Sequence, residues 1–407
     1  MSKGKHDQVD MLHGPLLGKL ILFALPLALS SILQQLFNAV DIAVLGQFAT
    51  SQDQAAVGCT SAIINMFLNL FLGISVGANV VIATYIGQRD KEKVQASVHT
   101  AMLIALISGF VMMLVGFVVR LTGLVNGKDV EKMNKVVFRV FLPVLVFKQV
   151  YNSDLANAIR PRLLLYAVLG VLAAFVLACI TAKLLIRNRS QRSAVIQGIY
   201  RSNFAIIGIP IAQSLLNGAD TGAVSVLLAV VVPMYNVLAV IILETYSDKH
   251  DSVGHVLLDV AKNPLILGSL CGIIFLIFGW KLPPLIESVV NSMSGVGSPM
   301  MLFLLGAFFE FGRLKEHLYP LTVACVGRLV VMPAIFLSLG ALLGFRGVEF
   351  AALIGIFASS NAVAAFTMTQ QMGGDAGLAG DIVVVTSTLC PFTIFGWSFL
   401  FKSLGMF

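Results

Sequence analysis

Residues 201–213 read RSNFAIIGIPIAQ, and this stretch decides the fold because it puts a proline inside an apolar helix. Pro210 has no backbone N–H, and its ring clashes with the carbonyl four residues earlier, so we expect a break or kink over about 205–211. Gly208 removes side-chain bulk beside it. A break inside a membrane leaves one half-helix with free N–H groups and a positive dipole end, which suits a substrate carboxylate.

Two amides extend this candidate site. Asn203 can donate or accept a hydrogen bond seven residues before the proline, and Gln213 is the last polar residue of the stretch. The stretch therefore predicts a substrate-binding helix. The alternative is a kinked helix that only packs, since proline is common in membrane helices.

A second stretch, residues 357–366, reads FASSNAVAAF. Its three consecutive polar residues are Ser359, Ser360 and Asn361. Small polar side chains inside an apolar span are costly unless they line a cavity or bond to other groups. We predict a second interruption over about 358–362, with ordinary interhelical hydrogen bonding as the alternative.

The composition is that of a membrane protein. Of the 407 residues, 58% are hydrophobic and 12% are charged, and mean hydropathy is +0.92. A soluble domain carries roughly 25% charged residues. Membrane spans of about 20 apolar residues must be helical here, because hydrocarbon offers strand edges no hydrogen-bond partners. The apolar runs predict an all-α polytopic membrane protein with about 12 transmembrane helices.

Charge and cysteine content argue against several other classes. The net charge of +7 comes from basic residues in short loops, which is typical of membrane topology and does not indicate nucleic-acid binding. The five cysteines show no paired spacing, so we expect no metal site. There is no phosphate-binding Walker motif, and we expect no cofactor, no catalytic residue and no enzyme activity.

The last three hundred residues show an internal duplication. Pro143 and Pro299 are 156 positions apart, and Pro233 and Pro391 are 158 apart. These offsets predict repeats over about 101–245 and 255–405, each of five helices. Because five is odd, the second repeat enters the membrane from the opposite side, as in many secondary transporters.

The chain from about 105 to 407 resembles the auxin efflux carrier family. The resemblance rests on Asn203 to Pro210, on Phe138 to Pro143, and on Met368 to Asp375. It implies ten helices in two inverted repeats, with crossing broken helices that bind an organic anion and Asn203 in contact with the substrate. Many relatives have proline in the second crossing helix, where this chain has Ser360.

Residues 1 to about 118 are similar to the first three helices of multidrug and toxic compound extrusion proteins. The similar stretches are Phe23 to Pro26, Gln34 to Asp41 and Gly73 to Asn79. The resemblance implies a cation-coupling role for Asp41. The alternative is that Asp41 bonds to Asn38 or to backbone.

We therefore divide the chain into extrusion-like helices at 1–97, a shared junction helix at 98–120, and the rest of the carrier unit at 121–407. Within the carrier, loops on one side carry fourteen Lys and Arg residues and those on the other six. The richer side is expected in the cytoplasm. Residue 1 would then be extracytoplasmic, and we expect residues 1–95 to contribute no side chain to the substrate cavity.

The sequence thus predicts a secondary transporter for a small organic anion, such as a carboxylate, in the cytoplasmic membrane. Its expected partners are that anion, membrane lipid and a second copy in a homodimer. The alternatives are a cation-coupled multidrug efflux antiporter and a composite or sensor-like protein that transports nothing. Glu310 and Arg328 lie on neighbouring predicted helices and are a candidate ion pair, unless Glu310 reaches the membrane surface instead.

Overall fold

The computed structural model describes residues 77–407 except for 79, 86, 89, 154–159, 216–221, 247–260 and 311. The chain divides into two compact units, residues 1–81 and 82–407, and the second contains nearly all of the described residues. Asp41 and its candidate partner Asn38 lie outside the described residues.

Every regular element of the described residues is a helix. The first half contains α1 Lys91–Leu121, α2 Gly127–Val136, a π-helical turn Val137–Phe141, α3 Leu142–Tyr151, α4 Pro161–Leu185, α5 Arg189–Tyr200, α6 Phe204–Leu215 and α7 Gly222–Tyr246. The second half contains α8 Pro264–Phe278, α9 Pro284–Phe308, a 3₁₀ turn Arg313–Lys315, α10 Leu318–Val326, a π-helical turn Gly327–Val331, α11 Met332–Leu342, α12 Gly347–Ala358, α13 Ala364–Gln371 and α14 Ala376–Ser403.

Several of these helices begin where the sequence provides a start signal. Proline occupies the first turn of α4, α8 and α9, where its missing N–H costs no hydrogen bond. Asn126 forms a capping box with Asp129 at the start of α2. The side chain of Asn263 accepts a hydrogen bond from the N–H of Leu265 in α8.

Six helical segments of the described chain are long and apolar enough to cross a membrane. They are Leu103–Leu121, Pro161–Leu185, Val224–Tyr246, Pro284–Phe308, Leu318–Leu342 and Ala376–Ser403. The apolar helices α8 and α12 are shorter. The chain is therefore an all-α polytopic membrane protein, as composition predicted; the total of about 12 spans stays a prediction.

The junction helix α1 packs backbone to backbone against α9. A Cβ atom on Gly116 would lie 2.0 Å from the carbonyl oxygen of Phe303, and one on Gly306 would lie 1.9 Å from that of Met113. Only glycine allows this approach, which resembles the small-residue packing of membrane helices. Glu310, two residues beyond the end of α9, accepts a hydrogen bond from the guanidinium of Arg120 in the last turn of α1.

The two interrupted helices lie at the centre of the unit. Residues 193–200 of α5 and residues 350–358 of α12 are all buried. Non-helical backbone at membrane depth is tolerated only where protein or a water-filled cavity surrounds it. The core around α5 and α12 provides that surrounding for the breaks that follow them.

Candidate functional site

The first break is the non-helical segment Arg201–Asn203 between α5 and α6. It lies before the expected range of 205–211, so our prediction placed it several residues too late. Pro210 lies inside α6, so it does not end the helix, although it has no N–H to bond the carbonyl of Ile206. The break itself occurs where the sequence has three polar residues in a row.

Side chains tie the first break to α7. The hydroxyl of Ser202 donates to the hydroxyl of Tyr235 at 3.1 Å. The hydroxyl of Tyr200 donates to the carbonyl of Tyr235 at 3.2 Å. The end of α5 and the break are therefore held against one point of α7.

The second break is Ser359–Val363, between α12 and α13. It contains the three polar residues of FASSNAVAAF, and the predicted interruption over about 358–362 is confirmed. The N–H of Asn361 donates to the hydroxyl oxygen of Thr386 on α14, 3.2 Å away. The breaks begin at Arg201 and Ser359, which are 158 residues apart, and the two proline pairs are 156 and 158 residues apart.

The two breaks meet, and we call this region the crossing. The backbone N–H of Asn203 donates to the carbonyl of Ser360 at 2.8 Å. Close by, a Cβ atom on Gly355 would lie 3.0 Å from the Cα atom of Gly208, so α6 and α12 are in near backbone contact. The prediction that two interrupted helices approach each other is confirmed.

A cavity of about 70 Å³ lies beside the crossing. This exceeds the roughly 10–15 Å³ that one ordered water requires. Its apolar wall includes Leu142, Val146, Val232, Met301 and Leu302. The polar side chains that line it are Gln149, Arg201, Ser202, Asn203, Tyr235, Asn236 and Ser298.

Arg201 is the buried cation of this cavity, with 3% of its surface exposed. Its guanidinium donates to the side-chain oxygen of Asn236 at 2.7 Å and to that of Gln197 at 3.2 Å. It also approaches the sulfur of Met368 at 2.8 Å. Arg201 forms no ion pair with any residue that the structure describes, so its charge meets only neutral groups there.

The cavity also lies at the positive ends of two half-helices. Ala205 and Ile206 from the first turn of α6 line it, as do Ala362, Val363 and Ala364 where α13 begins. Helix N-termini leave backbone N–H groups without intrahelical partners and carry partial positive charge. Two such ends and one guanidinium therefore face the same space, which favours an anion.

Comparison with known proteins identifies the carrier portion. The membrane transport protein family matches residues 101–398, which is most of the chain. The chain belongs to this family, the auxin efflux carriers. The MatE family matches residues 26–153, so the arrangement of an extrusion-like beginning and a following carrier is confirmed.

Three relatives add to this assignment. An uncharacterized transporter of Methanocaldococcus jannaschii is 23% identical over 301 residues, which cover 71% of this chain and 96% of the relative. An uncharacterized transporter of Methanothermobacter thermautotrophicus is 22% identical, covering 72% of this chain and 96% of the relative. The lysosomal cholesterol signaling protein of Mus musculus is 24% identical, covering 75% of this chain and 38% of the relative. The chain is accordingly a membrane transporter.

Among the predicted site residues of this auxin efflux carrier, Asn203 lines the cavity. Its side chain makes no hydrogen bond to any described residue. Gly208 and Pro210 lie on α6 and are outside the set of cavity-lining residues. The side chain of Gln213 lies outside the described part of the structure.

The three predicted residues of the second break are buried behind the cavity. Ser359, Ser360 and Asn361 are each at most 2% exposed. Within the described residues, the hydroxyl of Ser359 and the amide oxygen of Asn361 have no hydrogen-bond partner. Residues 362–364 of the same segment face the cavity, so the second break reaches it through its later positions.

Two charged residues behave differently from what the sequence suggested. Arg201 is one of the fourteen Lys and Arg residues that we assigned to cytoplasmic loops, but it is buried and lines the cavity. The candidate pair of Glu310 and Arg328 does not form. Glu310 pairs with Arg120 and Arg313 at 2.6 Å each, whereas Arg328 donates to backbone carbonyls. The sequence offered one signal for Arg201 as a site residue: it lies two positions before Asn203, which we predicted to bind the substrate.

Proposed function

We propose that this chain is a secondary carrier that moves a small organic anion, such as a carboxylate, across the cytoplasmic membrane. The observation that supports this most is Arg201, a buried guanidinium that lines the cavity without an ion pair to any described residue. Arginine stays protonated in proteins. A cavity with a permanent positive charge selects ligands that carry a negative one.

The energetics support the same proposal. An unpaired buried charge costs several kcal/mol, because neutral hydrogen-bond partners replace its hydration only in part. A carboxylate that enters the cavity pairs with Arg201 and accepts hydrogen bonds from it, often in a bidentate geometry. The partial positive charge at the first turns of α6 and α13 stabilises the same oxygens, and the amide of Asn203 is a further donor for them. The loaded cavity is therefore better satisfied than the empty one.

The proposed cycle uses the two repeats. A binding site at the interface of inverted repeats, between half-helices, is common among secondary transporters. Movement of one repeat against the other would expose the cavity to each side in turn. The equivalent breaks at Arg201 and Ser359 support such a pair of repeats, and the inverted orientation of the second is part of the proposal.

Uptake into proteoliposomes that contain the full chain tests the function. We would measure radiolabelled malate, succinate, lactate and benzoate, with benzamide as an uncharged competitor. We expect uptake of at least one carboxylate, no inhibition by benzamide, and loss of uptake in Arg201→Gln. Arg192→Gln is the matched control, since Arg192 lies on α5, the helix that ends next to Arg201, and donates to the carbonyl of Ile186. Equal uptake by Arg201→Gln and the wild type would refute the proposal.

A cation-coupled multidrug antiporter that works through Asp41 is the second candidate, because the MatE family matches residues 26–153. That match ends at residue 153, whereas the carrier match continues to residue 398. Efflux of ethidium from the same vesicles, abolished by Asp41→Asn and unchanged in Arg201→Gln, would favour this candidate over anion transport.

A further inference from the structure

A second buried arginine lies close to the crossing but has different partners. Arg328 belongs to the π-helical turn Gly327–Val331 and is 1% exposed. Its Nε donates to the carbonyl of Ser359 and its Nη2 to that of Ile356, both at 2.7 Å. Its Nη1 donates to the carbonyl of Tyr200 at 3.3 Å.

These three carbonyls share one property: they are at the C-terminal ends of the two half-helices that precede the breaks. Tyr200 ends α5, and Ile356 and Ser359 are at the end of α12. The last carbonyls of a helix have no intrahelical N–H partner and carry partial negative charge. One guanidinium therefore neutralises the negative ends of both interrupted helices.

The local sequence explains how Arg328 reaches this position. A Cβ atom on Gly327 would lie 2.9 Å from the Cγ1 atom of Ile199, so the glycine lets this helix lie against the end of α5. The π-helical turn inserts one residue into the helical register, which is a common way to re-aim a side chain at a functional site. The glycine and the π-helical turn together direct the guanidinium between the C-terminal ends of α5 and α12.

In transporters with interrupted helices, half-helix C-termini and unwound carbonyls commonly coordinate Na⁺ or a proton. We propose that Arg328 is a positioning residue that acts as a built-in cation at the crossing, occupying the carbonyl ends where other carriers bind a coupling cation. Arg328 forms no ion pair with any residue in the described ranges, so its full charge acts on these carbonyls. A second cation at the same ends would meet that charge and be repelled.

The two arginines therefore have separate roles. Arg201 contacts side chains and faces the cavity, where a ligand can reach it. Arg328 donates to backbone carbonyls at the C-terminal ends of α5 and α12, and so holds together the two helices that precede the breaks. The comparison with a coupling-cation site rests on the proposed carrier function, but the test of Arg328 needs no substrate.

The test is the thermal stability of the purified full chain and three variants of one position. Arg328→Lys keeps a cation that can reach some of the carbonyls, and we expect it to keep most of the wild-type Tm. Arg328→Met has similar length without charge, and we expect a lower Tm. Arg328→Ala leaves a guanidinium-sized space, and we expect low-millimolar guanidinium chloride to raise its Tm by at least about 2 °C relative to choline chloride.

The matched control is Arg201→Ala, because the guanidinium of Arg201 lines the cavity and donates to side-chain oxygens of Gln197 and Asn236, not to these carbonyls. We expect no rise in the Tm of this variant or of the wild type with guanidinium. If Arg328→Ala does not fold, the Lys and Met variants decide alone. A Tm for Arg328→Met equal to that of Arg328→Lys, or an identical guanidinium response in Arg328→Ala and the wild type, would overturn the proposal. Loss of carboxylate uptake in Arg201→Gln bears only on the carrier function, so the two failures are distinguishable.

Discussion

The backbone N–H of Asn203 and the carbonyl of Ser360 are joined by a 2.8 Å hydrogen bond, which links the breaks of the two interrupted helices directly. The bond uses main-chain atoms only. The side chain of Asn203 is therefore left to face the cavity, and its contribution to ligand binding can be separated from its contribution to the fold.

Asn203→Ala should weaken carboxylate binding while the protein stays folded. The backbone bond to Ser360 survives the substitution, so we expect little change in Tm. Loss of a hydrogen bond to a charged group costs about 1.5–3 kcal/mol, which corresponds to roughly 10- to 100-fold in affinity. Isothermal titration with the transported carboxylate measures this. Unchanged affinity would remove Asn203 from the binding site.

Gly306→Ala should destabilise the packing of the junction helix on the carrier. The added Cβ atom would lie 1.9 Å from the carbonyl oxygen of Met113, so α1 must move away from α9. Overpacking of this kind typically costs about 1–3 kcal/mol. Gly295→Ala is the matched control, because Gly295 lies on the same helix with nothing within 4 Å of an added Cβ. A Tm as low in Gly295→Ala as in Gly306→Ala would contradict this account of α1.

Glu310 should contribute stability that depends on pH. Hydrogen bonds from Arg313, and then from Arg120, hold the pKa of its carboxyl below the ordinary value of 4.5. A lowered folded-state pKa stabilises the protein above the unfolded-state pKa, and this stability is lost as pH falls through the folded-state value. We therefore expect Glu310→Gln to lower Tm at pH 7 slightly and to flatten the Tm profile below pH 4.5.

The effect is expected to be small, since the Glu310 side chain is 46% exposed and screened by solvent. Glu316→Gln is a suitable control, because Glu316 forms no ion pair with the residues that the structure describes. Parallel pH profiles for Glu310→Gln and the wild type would show that the bridge to Arg120 and Arg313 contributes nothing measurable.

The orientation of the chain stays a prediction that cysteine labelling can test. With Arg201 buried in the cavity, the cytoplasmic loops lose one of their fourteen counted charges, and the bias still favours residue 1 outside. Single cysteines at Ser51 and Lys91 in a cysteine-free background report the sidedness of two successive loops. We expect a membrane-impermeant reagent outside the cell to react at Lys91 and not at Ser51. Reaction at Ser51 alone would reverse the orientation.

The sequence predicted the second break well and the first one less well, for different physical reasons. Ser359, Ser360 and Asn361 stand out because polar side chains in an apolar span need a structural cause. Pro210 drew the prediction of the first break towards itself, but α6 accommodates the proline in its interior. The chain interrupts where Arg201 and its polar neighbours favour side-chain contacts.

The partners of the two buried arginines could not be read from the sequence. Basic residues at the ends of apolar runs are usually loop charges, and this rule hid Arg201. Arg328 binds carbonyls 28 to 128 residues away in the chain, and every residue has a carbonyl, so no side-chain pattern marks these partners. Only the folded chain shows which carbonyls lack an intrahelical partner near a guanidinium.

Binding of a carboxylate to the Arg201→Gln variant tests the central claim most directly. Malate, succinate, lactate and benzoate are titrated into the purified full chain, into Arg201→Gln and into the control Arg192→Gln, which alters an arginine of the adjoining helix α5. Truncating one member of a buried charge pair costs about 2 kcal/mol or more, so we expect affinity to fall at least about 30-fold in Arg201→Gln. Arg192→Gln should bind as the wild type does. Equal affinity in the wild type and Arg201→Gln would contradict an anion site built on Arg201.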